Sequence, residues 1–117
     1  MSEIITLSKK LKKFVDIVGI EMRDLYKTIR SVYGGSIQYI VFKDTCNIGW
    51  YHCIDFKYRG NEYRIAFVLP SLRIFVFDGK DVIFKSMKLQ KDGRLAPSKA
   101  KEAVKQVFRF LEEKVFI

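Results

Sequence analysis

The segment from Trp50 to Leu89 constrains the fold more than any other part of the chain. It holds four runs rich in β-branched and aromatic residues: Trp50–Arg59, Glu62–Leu69, Leu72–Phe77 and about Val82–Leu89. Gly60-Asn61 and Asp78-Gly79 are two-residue hairpin signals, and Pro70-Ser71 is another tight turn. A parallel crossover needs roughly a dozen residues or more, so connections this short make neighbours antiparallel. A fifth run, Ser36–Lys43, precedes these four behind the Asp44–Gly49 loop.

Helical periodicity flanks the strands. Leu11, Phe14, Val18, Met22, Leu25, Ile29 and Val32 recur at steps of three and four, with Val15 and Ile17 widening the stripe. This predicts a helix over about Ser8–Tyr33, ended by Gly34-Gly35, since glycine readily takes the left-handed cap conformation. Gly19 falls inside it at a cost of about 1 kcal/mol against alanine, which makes it a candidate kink. Pro97 suits a first helical turn. After it, Ala100, Ala103, Val104, Val107, Phe108, Leu111 and Val115 form the apolar side of a second helix reaching Phe116. The expected fold is therefore α+β, a single domain over residues 1–117: a five-stranded antiparallel meander with an N-terminal and a C-terminal helix packed on one face.

Pairing across Gly60-Asn61 sets Arg59 opposite Glu62, Tyr58 opposite Tyr63, Phe56 opposite Ile65 and Ile54 opposite Phe67. One face then carries Trp50, His52, Ile54, Phe56, Tyr58, Tyr63, Ile65, Phe67 and Leu69. Pairing across Pro70-Ser71 adds Leu72, Ile74 and Val76 to it. The opposite face collects Tyr51, Phe75 and Phe77 with Lys57, Arg59, Arg64 and Arg73. Two helices cover one side of a sheet, so this mixed aromatic and basic face is expected to bind something or to meet another subunit. The Asp44–Gly49 loop leaves the first strand's register open, and Phe42 could join either face.

The net charge is +9 and 30% of residues are charged, which favours polyanionic partners, nucleic acid first and anionic membrane second. Lysine is abundant and amides are few, a thermophile-like composition. No window is apolar enough for a membrane span, so no membrane partner is assigned. "MSEIITLSKKLKKF" lacks a secretory signal pattern, and the expected location is intracellular (cytoplasmic). Cys46 and Cys53 are too few for a disulfide framework, and with His52 the only histidine they do not make a zinc site. No cofactor is implied.

Three functions compete. The first is non-enzymatic binding of single-stranded nucleic acid, DNA or RNA: Tyr51, Phe75 and Phe77 stack on bases while Lys57, Arg59, Arg64 and Arg73 contact phosphates. The mechanism is similar to that of sheet platforms such as the RNA-recognition motif, although the strand order differs and that fold's aromatic signature is absent. The second is an interaction module, a homodimer or a site for a protein partner, with Phe75 and Phe77 at the centre of the interface. The third, remote, is a metal-dependent nuclease: Asp44 with "DFK" at Asp55–Lys57 resembles the acidic pattern of restriction-endonuclease-like enzymes, with Glu21 as an added ligand. The carboxylates would be roughly 10 Å or more apart along the strand, and an Asp55–Arg64 or Asp55–Lys57 surface pair is the ordinary alternative. His52 reads as a packed histidine at the sheet's apolar side, and Trp50 as a core aromatic there, with a stacking role at the sheet's rim as the alternative.

Overall fold

The structure, a computed structural model, describes residues 2–47, 50–96 and 100–115. Helix α1 spans Ser2–Tyr33, and strands β1 to β5 span Ile37–Asn47, Trp50–Tyr58, Asn61–Val68, Arg73–Asp78 and Asp81–Leu89. A two-residue strand β6 (Leu95–Ala96) adds to the edge of β5, and helix α2 covers Ala100–Val115. The strands follow one another in chain order, each antiparallel to the next. This is the expected meander with both helices on one face. Among the described residues, no helix is long and apolar enough to cross a membrane.

The main core lies between helices and sheet. Val18, Met22, Leu25 and Ile29 of α1 meet Ala103, Val104, Val107, Phe108 and Leu111 of α2 over Ile54, Phe56, Ile65, Phe67, Ile74 and Val76. Tyr33 stacks on Phe108 at 4.0 Å, joining the end of α1 to α2. Tyr58 packs edge-on to Phe108 and its hydroxyl donates to Glu112 Oε1 at 3.1 Å, tying α2 to β2. Phe42 belongs to this side, packed edge-on to Tyr26 of α1. Leu11 and Val32, at the ends of the predicted stripe, are exposed.

The β2–β3 turn is Arg59-Gly60, with Tyr58 opposite Asn61, not Gly60-Asn61. Both turn residues have positive φ, 52° and 84°, as a type I′ hairpin turn requires; glycine fills the second place and Arg59 accepts the first. The register is thus two residues away from the expected one, and the faces survive because side chains alternate with period two. Between β3 and β4 the register matches expectation: Phe67 faces Ile74 and Ile65 faces Val76.

An odd shift occurs in β2. His52 has φ 57° and forms a β-bulge, so Cys53 faces Ala66 but Tyr51 already faces Phe67 and Trp50 faces Val68. Every residue before the bulge changes side. His52 Nε2 lies 3.0 Å from the Val15 carbonyl of α1, which makes Nε2 the protonated nitrogen. Gly19 is where the ring fits: a Cβ there would stand 2.8 Å from His52 Cε1. α1 runs on through Gly19 as one helix, so the glycine serves the imidazole and is not a break.

Burial lowers the His52 pKa below its ordinary 6.5, against the opposing pull of the Val15 carbonyl. A depressed folded-state value means the neutral ring supports the fold. That contribution is complete above pH 6.5 and is lost as pH falls through the folded value. Stability should therefore drop as pH falls below 6.5 through the lowered folded-state value, and His52→Asn, which tolerates the left-handed backbone, should flatten the drop; denaturant midpoints on either side of pH 6.5 test it. Gly19→Ala should lose about 1–3 kcal/mol by overpacking, despite its gain in helix propensity, and His52→Asn in the same chain should recover part of that loss.

Candidate nucleic-acid interface

The helix-free face is ordered in rows by the registers. Trp50, Val68 and Arg73 form one row; Cys53, Ala66 and Phe75 the next; Asp55, Arg64 and Phe77 the third. Lys57 and Glu62 begin the fourth. β1 lays Lys43 beside Cys53, Val41 beside Asp55 and Tyr39 beside Lys57.

At one end the face carries a small core of its own. Cys53, Ala66 and Phe77 are buried there, with Cys46, Trp50, Val68 and Phe75 packed against them. The Trp50 and Phe77 rings stack at 4.5 Å and 22°. Ala66 occupies the row between them, and its small side chain leaves the indole room to reach across. Phe75 meets Phe77 edge-on at 6.1 Å. Cys46 and Cys53 are joined by a disulfide that closes the β1–β2 hairpin over this cluster, where the sequence offered no such framework.

The centre of the face is an ion-pair group. Arg64 donates two hydrogen bonds to Asp55, at 2.6 and 3.0 Å, and Lys43 Nζ lies 3.2 Å from the same carboxylate. Burial pushes the Asp55 pKa up, but the bonds from Arg64 and Lys43 outweigh it and hold the carboxyl below its ordinary 3.8. Beside the group, Tyr39, Asp55, Glu62, Tyr63, Arg64 and Gly79 line a shallow hollow of about 270 Å³.

Of the seven residues expected on this face, Phe75 and Phe77 of β4 are there, with Lys57, Arg64 and Arg73. Tyr51 is not: the bulge turns it to the helix side, where it packs on the main core. Trp50, expected in that core, takes its place. Arg59 sits in the turn with its guanidinium 5.3 Å over the Tyr58 ring, drawn toward the helix side. Phe77 is 4% exposed, so its ring is a floor for Trp50 and offers no open face. Arg64 is engaged by Asp55. Among the described residues, Lys57 and Arg73 have no carboxylate within salt-bridge distance. Tyr39, Val41 and Val82 are exposed on the same face; the open loop before β2 hid the first two from sequence reasoning. Trp50 left no signal except Gly19 itself, a gap on a helix's buried side that asks for a bulky partner.

The three carboxylates of the nuclease pattern do not converge. Asp44 pairs with Arg23 at 3.6 Å, Asp55 with Arg64 and Lys43, and Glu21 accepts the Leu95 backbone N–H at 3.2 Å, holding β6 against α1. Among the described residues, no group of three His, Cys, Asp or Glu side chains could hold a metal ion. No known protein family, characterised protein or solved structure matches the chain.

Burial makes the loss of Phe77 costly. Phe77→Ala should cost at least about 2 kcal/mol, approaching the roughly 3–5 kcal/mol of Phe67→Ala, when both are unfolded in denaturant at low protein concentration. Asp55→Asn should cost about 1–2 kcal/mol, discounted for partial exposure. Since the Asp55 pKa is depressed, the ion-pair contribution should persist above pH 3.8 and disappear as pH falls further through the folded value.

Proposed function

We propose that the chain binds single-stranded nucleic acid across the helix-free sheet face, with Trp50 and Phe75 as the stacking rings and Arg73 and Lys57 as phosphate contacts. One observation carries the reading. Both helices lie on the same side of the sheet, and in a chain of net charge +9 the other side presents a half-buried tryptophan and phenylalanine in rows flanked by cations that have no carboxylate partner among the described residues. From the row of Arg73 to the row of Lys57 is about 20 Å at 3.4 Å per residue, a span of a few nucleotides. The Trp50 ring rests on Phe77, so a base laid on the indole would continue an existing stack.

Titrations with a labelled single-stranded oligonucleotide at several salt concentrations separate the parts. Phe75→Ala with Trp50→Ala should weaken binding by about 2–4 kcal/mol and leave the salt slope alone. Lys57→Ala with Arg73→Ala should weaken it and flatten the slope by about 1.4, from about 0.7 per phosphate contact on single strands. Tyr51→Ala should change neither. Equal affinity for duplex and single strands would sink the reading, because only unpaired bases expose their faces. Should Trp50→Ala unfold, Phe75→Ala alone carries the test.

A second reading, a homodimer through this face, is favoured by Val41 and Val82, which stand 43% and 46% exposed on it. A monomer at high micromolar concentration would end it. We place the chain inside the cell. A disulfide is compatible with that location chiefly in thermophiles, which fits the lysine-rich, amide-poor composition.

A further inference from the structure

On the other side of the molecule, a groove of about 750 Å³ runs between the N-terminal half of α1 and the neighbouring ends of β4 and β5. Leu11, Phe14, Leu72 and Leu89 form its walls, and Lys10 and Lys91 belong to its lining. Its size falls within the roughly 300–1,000 Å³ of pockets that hold single organic ligands. A second hollow of about 240 Å³ shares Leu11 and continues the apolar surface over Val15, Tyr51 and Leu69, with Lys12 beside it.

Two features set this groove apart from ordinary surface. Leu11 and Leu72 are 42% and 47% exposed, side by side in one concavity instead of scattered. Leu72 is also held at φ 55°, a left-handed backbone that leucine rarely adopts, fixed by its N–H bonding to the Val68 and Leu69 carbonyls at 3.1 Å each. The fold thus keeps a strained leucine half out of the core at the groove's wall.

The charges select the occupant. Among the described residues, every charged side chain lining the two hollows is a lysine, and no carboxylate lines either. Among the described residues, the only uncharged polar side chains in the linings are the Gln90 amide and the Tyr51 hydroxyl. A peptide laid there would leave backbone N–H and C=O groups without partners, and a nucleobase would find few polar groups to match its edges. A long apolar tail with one anionic head has neither difficulty.

We propose that this groove binds a single-chain anionic amphiphile, a long-chain fatty carboxylate, with its tail along Leu11, Phe14, Leu72 and Leu89 and its carboxylate met by Lys10 and Lys91. The proposal does not depend on the nucleic-acid reading, since it uses none of the residues of that face.

The test is titration of the full chain with cis-parinarate, a fluorescent polyene fatty acid, below its critical micelle concentration, followed by displacement with palmitate. Saturable fluorescence that palmitate reverses is the expected result. Leu72→Asn suits the left-handed backbone and keeps the fold, and it should lower affinity by about tenfold, the loss expected for one buried leucine contact. Lys10→Glu with Lys91→Glu, both exposed positions, should weaken palmitate but leave hexadecanol unaffected. The proposal is overturned by non-saturable fluorescence, by unchanged affinity in Leu72→Asn, or by palmitate and hexadecanol responding alike to the lysine changes. Binding to phosphatidylglycerol vesicles with none to the monomeric acid would also overturn it, by making the groove a membrane contact.

Discussion

The imidazole of His52, seated against Gly19 of α1, is the contact on which both faces of the sheet depend. Its bond to the Val15 carbonyl fixes the helix over β2, and its left-handed backbone inserts one extra residue into the strand. One extra residue is an odd shift, so Trp50 and Tyr51 exchange sides. Tyr51 then fills space beneath α1, and Trp50 lands on Phe77. Neither placement survives a β2 without the bulge. The cost is borne at Nδ1 of His52, which is buried without a hydrogen-bond partner among the described residues. Keeping that ring neutral limits the penalty, because a charged imidazole would add desolvation to an unmet donor.

The helix-free face is consequently two surfaces in one. Toward the β1–β2 hairpin, the disulfide, Trp50 and Phe77 make a miniature core that needs no helix. Toward the β2–β3 turn, Asp55 ties up Arg64 and Lys43 and offsets one of their two charges. A face that looks uniformly aromatic and basic in the sequence has spent much of both properties on itself. What stays available is the outer part of the Trp50–Phe75 pair and the cations at the two ends.

Much of the fold was legible because it rests on even-numbered patterns. The β3–β4 register follows from the tight turn at Pro70-Ser71 and the alternation of Ile74, Phe75, Val76 and Phe77. The expected β2–β3 turn lies one residue from the observed one, which shifts the pairing by two, and the faces still come out right from Cys53 to Val68, since a register shift of two leaves every side chain on its side. The bulge escaped because nothing local announces it: His52 is not a residue that prefers positive φ strongly enough to be read as a break. Gly19 was the one available clue. Its cost to helix propensity was visible, but a glycine on the buried stripe of a helix marks a large group on the facing sheet as readily as a bend. Cys46 and Cys53 are seven residues apart, and the pairing of β1 with β2 brings their Cα atoms to 6.3 Å; β6 is held by Glu21, 74 residues away in sequence from Leu95.

Charge and shape therefore act on different scales here. A net charge of +9 attracts any polyanion from a distance and weakens with salt, without distinguishing one from another. Discrimination has to come from groups at contact distance, and at the middle of the sheet face the strongest cation, Arg64, is already held in two hydrogen bonds by Asp55. To reach a phosphate it would have to leave a partner whose low pKa keeps it charged. The pair is better understood as a strut that fixes β2 against β3 at the step between the Trp50 cluster and Lys57. In the proposed nucleic-acid reading, selectivity would rest on aromatic stacking held in register by this strut, and affinity for anions on the cations at the ends of the face and the exposed lysines of α1.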